Sequence, residues 1–204
     1  MLSTPQISSD RIDLVRLPKL KRDFYTQDAL KVAKNLLGCI FVKEEGQHLL
    51  AARITEVEAY KQKNDEAAHS YRGKTKRNKV MFYEGGYLYV YFIYGVHYCA
   101  NIVTGKKEEG DAVLLRGMEP LLGIESMIKN RFEDKVVSNK RIKDLLKGPG
   151  NICKAFGIDK SDDGTDLTGN RIYLLKGDNE INIKTSERIG ITKSKELKWR
   201  FYID

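Results

Sequence analysis

Residues 87–104 read YLYVYFIYGVHYCANIVT. Tyr87, Tyr89 and Tyr91 alternate with Leu88, Val90 and Phe92, so an extended chain puts tyrosine rings on one face and apolar side chains on the other. The aliphatic face is the core candidate. The tyrosine face offers rings for stacking and hydroxyls that must meet water or a partner. Tyr94-Gly95 interrupts the alternation, which predicts a hairpin of strands 87–94 and 97–104. Gly85 to Gly105 is also 21 residues without Asp, Glu, Lys or Arg, long enough for a membrane span. Its five Tyr, four Gly, His97, Asn101 and period of two make it a β pattern instead.

Working outward, 39–44, 49–58 and 111–116 read as strands, with a turn at Glu45-Gly46. Thr26 reads as the N-cap of a helix over 27–37 that Gly38 stops. Residues 61–79 form a polar loop with a short helical piece near Asp65–Ser70. Pro120 starts a helix to about Phe132, Asn139 to Leu146 is a second, and a third ends at Phe156. Strands return near 171–176, 181–184 and 198–203. Antiparallel pairs flanked by a few helices make an α+β class, not a βαβ series. Residues 1–20 read as a tail or strap and 21–204 as a single domain.

Lys and Arg number 36 against 28 Asp and Glu, a net charge of +8 over 204 residues, which favours a polyanionic partner. The three cysteines are widely spaced, so no zinc site and no disulfide framework is expected. The N-terminus has neither the basic start nor the apolar block of a signal peptide, and a cytoplasmic protein is expected. With no GxGxxG and no P-loop, no nucleotide cofactor is expected.

Glu56 and Glu58 sit at i and i+2 on a predicted strand, roughly 6.5–7 Å apart, a spacing that glycosidic-bond hydrolysis uses and that an exposed polar face also shows. Residues 72–79, RGKTKRNK, supply Arg72, Lys74, Lys76, Arg77 and Lys79 for phosphates, just before the aromatics that suit bases. Tyr94, at the expected turn, has little to pack on and suits a wedge between base steps. Asn101 and Arg116 are single polar residues in apolar strands. Arg116 could pair with Glu56 or Glu58, or hold a phosphate beside a catalytic carboxylate.

EVEAY (56–60), DEAAHS (65–70), RN (77–78), MF (81–82), LYVYFIYG (88–95), CANI (99–102), AVLLR with EP (112–120) and GPGNIC (148–153) together resemble the alkyladenine (3-methyladenine) DNA glycosylase family, from about Arg22 to Tyr202. The resemblance implies a single domain around a curved antiparallel sheet, with the hairpin protruding into the minor groove. It implies that Glu58 activates water for attack on C1′ and that Arg116 positions water and sugar-phosphate. It further implies that Tyr60, His69 and Tyr91 sandwich a flipped base, that Tyr94 fills the gap, and that Asn101 clashes with the amino group of normal guanine. Leu114 and the Arg188–Ile191 stretch, Ile191 included, match the pocket floor and a backing contact.

The implied enzyme removes 3-methyladenine, 7-methylguanine, hypoxanthine or ethenoadenine from double-stranded DNA and leaves an abasic site. It needs no metal and no cofactor, acts as a monomer away from membranes, and sits on the nucleoid if the cell is prokaryotic. No lysine matches a Schiff-base position, so no strand cleavage is expected. Arg116 is expected to hold the Glu58 pKa down. The residues alone also admit a non-catalytic nucleic-acid binder, which needs no Glu58, and an O-glycoside hydrolase, which would want more than the single Trp199.

Overall fold

The longest strand, β2 (His48–Tyr60), has one partner along one edge and two in succession along the other. In this computed structural model, which describes residues 16–46, 48–133, 142–177 and 181–203, β5 (Asp111–Leu122) pairs with β2 from Ala51 to Tyr60. On the other edge, β1 (Ile40–Glu45) covers His48–Arg53 and β8 (Arg200–Tyr202) covers Glu56–Glu58. The β2–β5 register shifts between Ile54 and Glu56 and again between Glu56 and Val57. Such bulges bend and twist a strand, and here the bend lies where β2 exchanges one neighbour for the next.

The hairpin of β3 (Leu88–Ile93) and β4 (His97–Thr104) adds to β5, and β6 (Ile172–Leu175) adds to β1. The path is β3-β4-β5-β2-β1-β6, with β7 (Lys184–Ser186) on β8, and every pairing is antiparallel. This is the expected α+β architecture, a curled antiparallel sheet with β3 of the hairpin at its edge. Leu17 to Leu20 run beside β6, where the Leu20 N–H donates to the Leu174 carbonyl at 2.9 Å.

One sheet face packs on the helices. After the single turn α1 (Arg22–Tyr25), helix α2 (Ala29–Leu36) buries Ala29, Val32, Ala33 and Leu36. It is capped by Asp28, whose carboxylate accepts from the Leu30 N–H at 2.9 Å, rather than by Thr26. The nearer, charged acceptor takes the orphan N–H. Helices α3 (Ile124–Phe132) and α4 (Pro149–Phe156) complete the layer, and Phe156 meets Phe41 edge-on with centroids 5.2 Å apart. Leu88 and Val90 join this core as expected. Phe92 does not: it is 45 % exposed beyond the reach of the helices and leans on Tyr98.

Three further expectations are corrected. Pro120 starts no helix; β5 runs on to Leu122, and Pro120 sits opposite Ala52 at a register shift, where a missing N–H is tolerated. Asp65–Ser70 is a series of turns, because the Asp65 carboxylate captures the Lys61 and Ala67 N–H groups. The helix expected from Asn139 falls partly on 139–141, outside the described residues; 142–143 are helical, and Arg131 Nη1 then takes the carbonyls of Asp144 and Leu145. Among the described residues no helix is long and apolar enough to cross a membrane.

At the start of β5, Asp111 accepts the Gln62 N–H at 2.8 Å, yet burial pushes its carboxyl up to about 6. Between the ordinary carboxylate range and that value, the unfolded chain is ionised while the fold holds a proton, so stability falls as pH rises. Asp111→Asn keeps the acceptor and removes the titration. Thermal melts are expected to show a gain in Tm near pH 7 that fades near pH 4.

Candidate active site

A cleft of about 600 Å³ opens between the hairpin, the end of β2 and the loop 189–193. Tyr60, His69, Tyr91, Asn101, Leu114, Arg116 and Ile191 line it, with Tyr94 at its rim. Ile189, in the matched 188–191 stretch, also lines it, as do Met81, His97, Cys99 and, with Gly148, the first turn of α4 to Asn151, whose local pattern did not mark them as cleft residues. The carboxylate expected to activate water is not on the wall. Glu58 is fully buried, behind Tyr60 and Arg116.

Its surroundings are polar in every direction that matters. Glu58 Oε1 accepts from the Ile189 N–H at 2.7 Å, and Oε2 accepts from the Tyr60 hydroxyl at 2.8 Å. Arg116 Nε stands 3.3 Å from Glu58 Oε1 and donates to Glu56 Oε1 at 3.1 Å. The expected pairing of Arg116 is therefore with both carboxylates. The expected effect on Glu58 is reversed: burial raises its pKa, and Arg116, the Ile189 N–H and the Tyr60 hydroxyl only partly oppose that. Glu56, half-buried between Arg116 and Arg200, is lowered because those contacts outweigh its burial. Desolvation without full charge compensation makes Glu58 the more basic of the two.

The aromatic wall is held from behind. Tyr60 lies under the Arg188 guanidinium, 4.5 Å from its ring centroid. Arg188 in turn makes two 2.7 Å bonds to Asp65, and neither side chain has any exposed surface. The signal for this pair was an Arg and an Asp at unrelated positions, which sequence alone does not join. Opposite, the His69 and Tyr91 rings are 4.5 Å apart, and His69 Nδ1 is 3.2 Å from the Tyr89 hydroxyl. Burial, and then the Arg77 charge, lower the His69 pKa, so the ring is neutral at physiological pH. Asn101 is buried and its Nδ2 has no hydrogen-bond partner among the described residues, an orphan donor on the cleft wall.

At the hairpin tip Tyr94 is 81 % exposed and has φ +54°. Gly95 follows at φ +69°, and the Val96 N–H donates to the Ile93 carbonyl at 3.3 Å, the pattern of a primed turn. Glycine or asparagine suits the first of these positions; a tyrosine there is strained. In the basic loop all five expected cations are exposed, but two are engaged. Lys74 pairs with Glu108, and Arg77 donates to the Phe92 carbonyl, tying loop to hairpin. Asn78 organises the loop, accepting from Thr75 and donating to the carbonyls of His69 and Gly73.

A buried carboxylate between a guanidinium and a backbone N–H, behind an aromatic cleft with a projecting aromatic tip, suits water activation beside a planar ring. A family model described as methylpurine-DNA glycosylase matches residues 23–204. A protein of Carboxydothermus hydrogenoformans, named provisionally as a 3-methyladenine DNA glycosylase, is 47 % identical over 90 % of this chain and 94 % of its own. Proteins of the same name from Clostridium novyi and Methanoculleus marisnigri are both 45 % identical, over 92 % and 88 % of this chain and 96 % and 92 % of theirs. With nearly the whole chain matched, it belongs to the methylpurine-DNA glycosylase family.

Proposed function

We propose that this DNA glycosylase flips alkylated or deaminated purines, such as 3-methyladenine, 7-methylguanine, hypoxanthine and ethenoadenine, into the cleft and hydrolyses their N-glycosidic bond. The observation that carries the reading is the buried Glu58 carboxylate, more basic than usual and facing Arg116 and the Ile189 N–H. A general base works best when its pKa approaches the working pH. Glu58 takes a proton from water as the water oxygen bonds to C1′. The C1′–N bond breaks and its electron pair leaves with the base. Arg116 orients the carboxylate and the sugar-phosphate.

Tyr60 on one side and His69 with Tyr91 on the other stack the flipped base, at about 1–3 kcal/mol per stacked ring. A cationic methylated base gains further from electron-rich faces. Leu114 and Ile191 close the apolar floor, and Asn101 stands where the amino group of guanine would come. Arg72, Lys76 and Lys79, with Lys74 and Arg77, face the backbone phosphates. Lys193, on the cleft rim, is largely exposed and lies 3.8 Å from Glu66. It matches no Schiff-base position in the family resemblance and neither does any other lysine, so in this reading the product is an abasic site and not a nick.

End-labelled duplexes carrying single lesions test this. Breaks at the lesion only after hot alkali are the expected result. Breaks without alkali would mean lyase chemistry, and salt-sensitive binding without breaks would leave a binding protein.

The wedge role of Tyr94 gives its strain a purpose. Tyr94→Asn is expected to stabilise the fold by about 1 kcal/mol in denaturant melts, because asparagine tolerates the left-handed conformation. The same variant is expected to bind lesion-containing duplex about tenfold more weakly, having lost a stacked ring.

A further inference from the structure

We infer that Glu56, with Arg200 behind it, is a positioning residue that holds the Arg116 guanidinium between two carboxylates and rations its positive charge to Glu58. The inference rests on the reading of Glu58 as the base.

The geometry is a chain of alternating charges. Arg116 Nε lies 3.1 Å from Glu56 Oε1 and 3.3 Å from Glu58 Oε1. The same Glu56 oxygen accepts from Arg200 Nε at 2.7 Å, and Arg200 Nη1 donates to Ser186 Oγ at 2.9 Å. Arg200 also covers the Tyr202 ring, 4.6 Å from its centroid. Two features of the backbone exist to make room for this chain. Glu56 sits at the β2 bulge where β8 takes over, which brings Arg200 alongside. Opposite it in β5 is Gly117, where an added Cβ would come within 2.9 Å of the Glu56 Cβ. The absent side chain leaves the space that Glu56 uses.

The electrostatic consequence has a sign for each member. Glu58 faces Tyr60 on its own strand, Arg116 on β5, Arg188 and the Ile189 N–H on the loop before β8, and more remotely Arg200 on β8. Removing the Glu56 charge leaves the Arg116 and Arg200 cations uncompensated near Glu58, which makes Glu58 easier to ionise and a weaker base. Removing Arg200 leaves Glu56 free to draw on Arg116, which makes Glu58 harder to ionise. A residue that merely kept the strand in shape would not move the pH profile in opposite directions.

The test is single-turnover release of 3-methyladenine and 7-methylguanine from duplex DNA treated with dimethyl sulfate, measured by chromatography from about pH 5 to about pH 9. These bases are already cationic, so their departure needs no proton and the acid limb reports the base catalyst. Glu56→Gln is expected to move that limb down by about one pH unit and lower the plateau about tenfold. Arg200→Gln is expected to move it up, and Arg200→Lys to bring it back toward the parent. Limbs that stay in place, or that move in the same direction in both variants, overturn the proposal, whatever the loss of rate. Should Glu56→Gln fail to fold in a thermal melt, the upward shift in Arg200→Gln and its rescue by Lys decide the matter. Glu58→Gln run alongside separates the two readings: full activity there would remove the base assignment itself, not only the part given to Glu56.

Discussion

Glu58→Gln is expected to slow base excision about 10²–10⁴-fold in single turnover while duplex affinity stays within a few-fold of the parent. The amide fits the same space and can still accept from the Ile189 N–H, but it takes no proton from water. Stacking by Tyr60, His69 and Tyr91 and the contacts to phosphate are untouched, so binding and chemistry separate. The variant is also expected to be the more stable protein near neutral pH. Burial raises the folded-state pKa of Glu58. As pH climbs above the ordinary carboxylate range, the unfolded chain ionises first and the fold loses stability until its own pKa is passed. Glutamine has no such loss. Denaturant melts near pH 7 and near pH 4 check this, with the gain expected only at the higher pH. An equal gain at both would point to packing instead.

Asp65→Asn is expected to destabilise the fold by about 3–5 kcal/mol, because it leaves a buried guanidinium without its counter-charge. For a chain of this length that is a fall in Tm on the order of 10 °C, measurable by calorimetry. Arg188 and Asp65 share two 2.7 Å bonds with no exposed side-chain surface, and Arg188 also donates to the Ala59 carbonyl. The damage reaches the cleft. Arg188 supports the Tyr60 ring from behind, and the next residue, Ile189, delivers its N–H to Glu58. Excision is therefore expected to fall further than the stability loss alone explains at temperatures where the protein stays folded. The double variant Asp65→Asn, Arg188→Met should recover part of the stability, since an apolar side chain needs no charge partner. It should not recover excision, because methionine does not hold the loop.

The features legible in the sequence are those with a short physical range. The alternation at the start of 87–104 marks a hairpin whose Leu88 and Val90 lie in the core while Phe92 does not, and the Tyr94-Gly95 break is its turn. Tyr60, His69, Tyr91, Asn101, Leu114, Arg116 and Ile191 all line one cleft. The misreadings are equally local. Thr26 has the side chain of a cap, and only the folded chain shows that the Asp28 oxygen is the one that meets the Leu30 N–H. Pro120 reads locally as a helix start, and only the pairing with β2 shows that it lies in a strand beside an irregularity at Leu121.

Composition, strand alternation and motif order by themselves determined the α+β class, the hairpin, the basic surface and which side chains are available for chemistry, because each depends on neighbours a few residues away. Tertiary structure alone decided what those side chains are. Ile189, 131 residues beyond Glu58, supplies the N–H that holds its carboxylate, and Arg200, 144 residues beyond Glu56, pairs with the carboxylate that shares the Arg116 guanidinium with Glu58. The pKa of Glu58 goes up rather than down because desolvation is a property of everything packed around a group, and no stretch of chain carries that information by itself.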